Sequence, residues 1–252
     1  MKINLISMNV LVTGASRGIG RAISQYLGEA GATLAIHYNK NQEAAVELAR
    51  MVGNASKVFQ ANLENPEECF TLFEEIEEKL GPVHVLVNNA GVAIKSPLDL
   101  PGQDWVEQWE RTMRVNLTSV GLLCKAAVER FLTRSGGRII NIASRAAFRG
   151  DTSDYLAYAA SKGGVVALTR SLARAYGKKG IKAFVVAPGF VRTDMAQEFF
   201  DTYGEEIALN DIALPELTEP DDVAPMVAFL ASGMADHATG GTFDINAGSY
   251  VH

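Results

Sequence analysis

Cysteine is scarce in this 252-residue chain: Cys69 and Cys124 stand far apart, with no Cys-x-x-Cys pair. Neither a disulfide framework nor a zinc site is indicated, and a reducing cytoplasm fits. Histidine is also thin. His37, His84, His237 and His252 occur singly, without metal-ligand spacing, so no metal is expected. Positive charge is in deficit, with 23 Lys and Arg against 29 Asp and Glu for a net −6. That balance argues against a nucleic-acid scaffold, because phosphate binding needs a positive surface. No apolar run reaches the ~18 residues of a membrane span. The start, Met1 to Val12, is broken by Asn4, Ser7 and Asn9 and has no small-residue cleavage site, so it reads as the lead into a strand. Repeats and Pro/Ser-rich linkers are missing as well. One domain over residues 1–252 is expected.

What the chain has is 48% hydrophobic content in an alternating order. Short β-branched runs occupy Asn9 to Thr13, Thr33 to Tyr38, Lys57 to Gln60, His84 to Asn88, Arg138 to Ala143, Lys182 to Ala187 and Thr242 to Asn246. Stretches of helical period separate them, the mark of βαβ units. The fold class is therefore α/β: a doubly wound, seven-stranded, mainly parallel sheet with helices on both faces. Ile19, Ala22, Ile23, Tyr26, Leu27 and Ala30 predict one apolar helical face ending at Gly31. Asn65-Pro66 marks another helix start, with Phe70, Phe73, Ile76 and Leu80 as its buried stripe and Cys69 beside it as core filler. Residues Asp194 to Pro220 show no clear period. An insertion after a late strand lies near the carboxyl edge where ligands bind, so 194–220 is expected to be a substrate lid.

Gly14-Ala-Ser16-Arg17-Gly18-Ile19-Gly20 lies between the first predicted strand and the first helix. Glycines here permit a tight turn and a close approach of a cofactor pyrophosphate, and the helix N-terminus offers free N–H groups to that anion. With the preceding Thr13, the pattern T-G-x-x-x-G-x-G resembles the short-chain dehydrogenase/reductase family. The rest of that family's pattern occurs in order: Asn88-Asn89-Ala90-Gly91, Asn116, Ser144, Tyr158-x-x-x-Lys162 and Pro188-Gly189. The resemblance runs from Val10 to about Gly248 and implies a Rossmann-type fold.

Tyr158 and Lys162 stand at i and i+4, on one face of a helix. A tyrosine ionises near pH 10, and a shift of about 3 units, roughly 4 kcal/mol, would make it a general acid/base at neutrality. An ammonium about 4 Å away at an effective dielectric of ~20 supplies that much. In isolation such a pair is more often an aromatic beside a solvated lysine, but Ser144 directly after a strand and the glycine loop weigh against that. Tyr155 is a rival acid without a lysine four residues on. The resemblance implies that Ser144 bonds the substrate oxygen, Tyr158 transfers the proton, Lys162 binds the nicotinamide ribose and lowers the tyrosine pKa, and Asn116 holds a water in a proton relay. Ser144 to Tyr158 is slightly longer than the family's commonest interval. The extra residue falls within Arg145 to Asp154, where it should alter pocket shape.

The segment ending strand two reads Ile36-His37-Tyr38-Asn39-Lys40, with no acid to hold a ribose 2′-hydroxyl. Arg17 and Lys40 instead offer positive charge to a 2′-phosphate, so NADP(H) is the expected cofactor. The resemblance places Asn62 and Leu63 on the adenine, with Asn62 where most relatives carry Asp. It places Asn89, Ala90 and Gly91 on the adenosine ribose and backbone, and Pro188, Gly189, Val191 and Thr193 over the nicotinamide.

Within the family the chain is most similar to 3-oxoacyl-[acyl-carrier-protein] reductases, which implies a ketoreductase acting on an acyl thioester. Arg134 with Arg138, and Lys178 with Lys179, are candidate basic patches for an acidic carrier protein. Leu214-Pro215-Glu216-Leu217 departs from the Gly-Arg pair that relatives carry. Reduction of another small ketone, sugar or alcohol is the alternative, and a non-catalytic cofactor-sensing regulator is a third. The family also implies a homotetramer, with Trp105 to Phe131, Asp154 to Tyr176 and the last strand at its interfaces.

Overall fold

A computed structural model describes residues 3–251, so Met1, Lys2 and His252 lie outside the described residues. The apolar runs form β1 (Asn9–Val12), β2 (Thr33–Tyr38), β3 (Lys57–Gln60), β4 (Val83–Asn88), β5 (Gly137–Ile142), β6 (Ile181–Pro188) and β7 (Thr242–Ile245). They build one sheet in the order β3-β2-β1-β4-β5-β6-β7. Every pairing is parallel, where a mainly parallel sheet was expected.

The helices are α1 (Gly18–Glu29), α2 (Gln42–Val52), α3 (Pro66–Leu80), α4 (Gly102–Met113), α5 (Ser119–Leu132), α6 (Ala146–Arg149), α7 (Leu156–Tyr176), α8 (Asp194–Tyr203), α9 (Glu205–Leu209) and α10 (Pro220–Ala231). Side chains alternate across a strand, which explains why the inner strands, covered on both faces, are nearly all apolar. Val10, Val12, Leu34, Ile36, Val85 and Val87 pack with α1, α2 and α10 on one face. Leu11, Ala35, Leu86, Ile139 and Val185 pack with α3, α5 and α7 on the other.

Two helical expectations are corrected. Tyr26 is 36% exposed at the edge of the α1 stripe rather than part of the core. On α3 the fully covered residues are Cys69, Leu72, Phe73 and Ile76, while Phe70 and Leu80 are only partly buried. Tyr26, Phe70 and Leu80 sit at the margins of their stripes, and an apolar period does not fix how much of a stripe the neighbouring elements cover. The span Trp105 to Phe131 is helical throughout, with one wide i→i+5 turn at Arg114–Thr118 between α4 and α5.

Residues 194–220 contain α8 and α9. Ala196, Phe199, Phe200 and Tyr203 recur at i, i+3, i+4 and i+7 and pack with Tyr155 and Leu217 in a separate small cluster. Thr193 caps α8, its Oγ1 accepting from the Ala196 N–H at 3.4 Å. That period was present in the sequence and was obscured by the acidic residues between the aromatics. Among the described residues, no helix is long and apolar enough to cross a membrane.

The strand order reverses at β1, which has β2 on one side and β4 on the other. A crevice opens at the carboxyl ends of the strands at such a switch point.

Candidate active site

Val12 of β1 lies opposite Val87 of β4, so the loops that follow these strands meet. Gly14 takes a φ of +61°, and a Cβ there would come within 2.9 Å of the Ala90 Cα. At Gly20 a Cβ would lie 2.4 Å from the Gly14 carbonyl oxygen, so both glycines answer close approach. Thr13 Oγ1 accepts from the N–H groups of Asn89 and Ala90 at 2.9 and 3.0 Å. The Asn89 amide in turn donates to the Thr13 and Gly14 carbonyls at 2.9 and 3.2 Å. Its side chain therefore braces the loop junction.

Among the described residues, no side chain caps α1, and its first turn holds no acid. The N–H groups that begin α1 open onto a cavity of about 1170 Å³. A set of uncapped donors with the positive end of a helix dipole suits a pyrophosphate. From Gly14 to Thr193, every expected catalytic and cofactor-binding residue borders this cavity except Asn116. Arg17 stands at the rim, paired with Asp194 of α8 at 3.0 Å. Lys40 and Asn39 are exposed at the same end. Asn62 Oδ1 already accepts from the Glu64 N–H at 3.1 Å, which leaves one lone pair of that oxygen for a ligand.

The catalytic candidates meet where β5 ends and α7 begins. Ser144 follows β5, and its Oγ accepts from the Ala146 N–H at 3.1 Å. Tyr158 sits in the cavity wall, hydrogen-bonded to Ser144. Lys162 is 4% exposed, and its Nζ donates to the Ile142 carbonyl at 2.9 Å. The Nζ also lies 5.7 Å from the centroid of the Tyr158 ring. The expected depression of the tyrosine pKa is corrected. Desolvation pushes Tyr158 up to about 12, against the Ser144 bond, and pulls Lys162 down to about 8. The spacing placed both groups on one face but carried no information about the loss of water around them.

Asn116, fully buried, sits in the wide turn and acts as a strut. Its Oδ1 accepts from the Val92 N–H at 2.8 Å, and its Nδ2 donates to the Val92 carbonyl at 2.8 Å and Ser161 Oγ at 3.1 Å. A Cβ on Gly91 would lie 3.3 Å from Asn116 Oδ1 and 3.4 Å from Lys162 Nζ. Glycine at 91 thus keeps the lysine reachable from the cavity.

Four side chains at the site were not foreseen. His37, 2% exposed, accepts from the Gly14 N–H at Nδ1 (3.0 Å) and donates from Nε2 to the Ala61 carbonyl (3.1 Å). Arg145 and Arg149 both pair with Asp211 Oδ2 at 2.6 Å. Arg145 was legible as the neighbour of Ser144, but its carboxylate partner is 66 positions away and no local pattern announces it. The cavity wall around them is aromatic, with Tyr155, Phe190 and Phe199.

Two of the expected basic groups are neutralised within the chain. Arg134 Nη2 donates to both oxygens of Glu77 at 2.8 Å, and Arg138 donates from Nε and Nη2 to the two oxygens of Asp236 at 2.9 Å. They do not form an open basic patch.

Comparison with known proteins agrees with this geometry. A family profile described as enoyl-(acyl carrier protein) reductase matches residues 14–250. The 3-oxoacyl-[acyl-carrier-protein] reductase of Vibrio cholerae serotype O1 is 36% identical over 248 residues, 98% of this chain and 99% of that protein. The enzyme of the same name from Haemophilus influenzae is 38% identical over 241 residues, 96% and 97% of the two chains. A blue fluorescent protein from a metagenomic library, solved in complex with NADPH, superposes with a TM-score of 0.90 at 36% identity, covering 98% of this chain and all (100%) of that one. Nearly the whole sequence is shared with these relatives and the glycine loop, Ser144, Tyr158 and Lys162 border one cavity, so the chain belongs to the short-chain dehydrogenase/reductase family of oxidoreductases.

Proposed function

We propose that this chain is an NADP(H)-dependent ketoreductase. The observation that carries the reading is the meeting of Ser144, Tyr158 and Lys162 in the wall of the cavity onto which the uncapped end of α1 opens. The N–H groups of residues 18–20 would hold the pyrophosphate, and Arg17 with Lys40 the 2′-phosphate. When bound, the nicotinamide supplies or accepts the hydride. Pro188, Gly189, Val191 and Thr193 would cover it, while Asn62, Leu63, Asn89, Ala90 and Gly91 would line the adenosine side.

The chain's own part is the proton and the orientation of the carbonyl. With its pKa at about 12, Tyr158 carries its proton at neutral pH and can donate it to a carbonyl oxygen as negative charge develops there. Ser144 supplies a second hydrogen bond to that oxygen. Lys162, near 8, is mostly charged at pH 7 and stabilises the tyrosinate left behind. Asn116 fixes Val92 and thereby Gly91 beside the ammonium.

Similarity to the Vibrio and Haemophilus enzymes supports a 3-oxoacyl thioester as substrate. With Arg134 and Arg138 already paired, docking of an acyl carrier protein would fall to Lys178 and Lys179. Arg145 and Arg149 in the wall favour a second reading, a small free oxo compound. We also propose that α8 and α9 act as the lid. A homotetramer would join α4, α5, α7 and the open edge of β7, which light scattering at micromolar concentration tests.

The direct experiment follows NADPH oxidation with an acetoacetyl thioester and a panel of ketones. Reduction that disappears in Tyr158→Phe supports the reading. Tight NADPH binding without reduction of any carbonyl makes the chain a cofactor-sensing regulator instead.

A further inference from the structure

We propose that Arg145 and Arg149 form a carboxylate-binding subsite beside Ser144, so that the substrate is an oxo acid bearing an apolar or aryl group. This names the substrate class of the ketoreductase site and rests on that reading. The Arg145 side chain is 9% exposed, yet its residue borders the cavity and the guanidinium stacks over Phe190, 4.6 Å from the ring centroid. Burying a guanidinium in a fold gains little net stability even when it is paired. A buried cation directly after Ser144, in the cavity wall, is better accounted for by what it binds.

The ion pairing around it is lopsided. Arg145 Nη1 and Arg149 Nη1 both contact Oδ2 of Asp211, each at 2.6 Å. Among the described residues, Asp211 is the one carboxylate within 4.0 Å of either guanidinium, and Asp151 acts on them from farther away. Arg149 Nη1 also reaches the Ser249 carbonyl at 3.4 Å. Each guanidinium carries five donors in a planar fork, so these contacts leave N–H groups to receive a second carboxylate. Asp211 follows α9 in the 194–220 segment, so the same contact ties that segment to the substrate wall. Tyr155, Phe190 and Phe199 line the wall next to this pair and suit an aryl or branched apolar body.

The test separates binding from turnover. Calorimetry on the NADPH-loaded protein compares 3-phenylpropanoate, which has no carbonyl to reduce, with its methyl ester. The expected result is a preference for the acid of about tenfold, equivalent to roughly 1.4 kcal/mol, that falls to within about twofold in both Arg145→Met and Arg149→Met. Arg149 is the exposed member, so its variant keeps the test decisive should Arg145→Met fail to fold. Equal affinity for acid and ester, no binding of either, or a preference that survives in the folded variants overturns the proposal. Reduction of methyl 3-oxo-3-phenylpropanoate is followed alongside. Absence of turnover with this ester and with the whole ketone panel, with the acid preference intact, rejects the ketoreductase reading and leaves the carboxylate subsite standing.

Discussion

The Gly14 N–H donates to Nδ1 of His37 at 3.0 Å, which ties the first turn of the glycine loop to the end of β2. Nε2 of the same ring donates to the Ala61 carbonyl at 3.1 Å, so the bonds require a neutral imidazole. Burial lowers the His37 pKa from 6.5 to about 4, with the Ala61 bond opposing. Between those values the unfolded chain binds the proton and the folded chain does not, so stability falls as pH drops through 6.5 toward 4. The full difference is roughly 3 kcal/mol. Urea unfolding at pH 7 and 4.5 should show His37→Gln less pH-sensitive than the wild type by roughly 2 kcal/mol, because pH 4.5 still lies above the folded pKa. Equal slopes would rule out His37 as the titrating group.

Asn116 engages both backbone groups of Val92. Asn116→Ala removes the partner of the part-buried Val92 N–H and carbonyl, so a loss of about 1 to 2 kcal/mol is expected. Because Gly91 sits between this strut and the Lys162 ammonium, kcat should fall as well. Denaturation with steady-state kinetics checks both, and an unaltered unfolding midpoint sinks the strut role.

Tyr158→Phe removes the proton donor and keeps the ring. A fall in kcat of about 10²- to 10⁴-fold is expected, with NADPH affinity read separately by calorimetry. In the wild type, reduction should weaken as pH rises past about 8, where Lys162 loses its proton. A flat profile from pH 7 to 9.5 would remove the lysine from the proton path.

Arg17 and Asp194 are 73% and 72% exposed, and an ion pair so open to water contributes little to stability. Arg17→Ala should therefore change the unfolding free energy by no more than about 0.5 kcal/mol. NADPH affinity should drop by about tenfold or more while NADH affinity holds, as expected for loss of a charge-assisted phosphate contact. An unchanged NADPH-to-NADH ratio rejects the role given to Arg17.

Much of this protein was readable before folding is considered. The β-branched runs located each strand to within a residue or two, because a strand covered on both faces has to be apolar along its length. The glycine loop, Ser144 and the Tyr158–Lys162 pair were readable because strand–turn–helix order and i,i+4 spacing are local properties. Where local reading failed, angular detail was the reason. Tyr26 and Phe70 lie at the margins of stripes whose period does not fix their covered width, and the Ala196–Phe199–Phe200–Tyr203 stripe is interrupted by acidic neighbours.

By itself, the sequence determined the α/β order, the parallel sheet and which side chains are offered for chemistry. Tertiary structure alone decided their ionisation and their partners. Tyr158 rises and Lys162 falls because burial strips water from both, and burial is contributed by segments distant in sequence. The same holds for His37 on Gly14, Asn116 on Val92 and Asp211 on two arginines: each is a contact between chain positions that no short-range period relates. Spacing constrains which groups share a face, whereas long-range packing sets the dielectric and the hydrogen bonds that fix what those groups do.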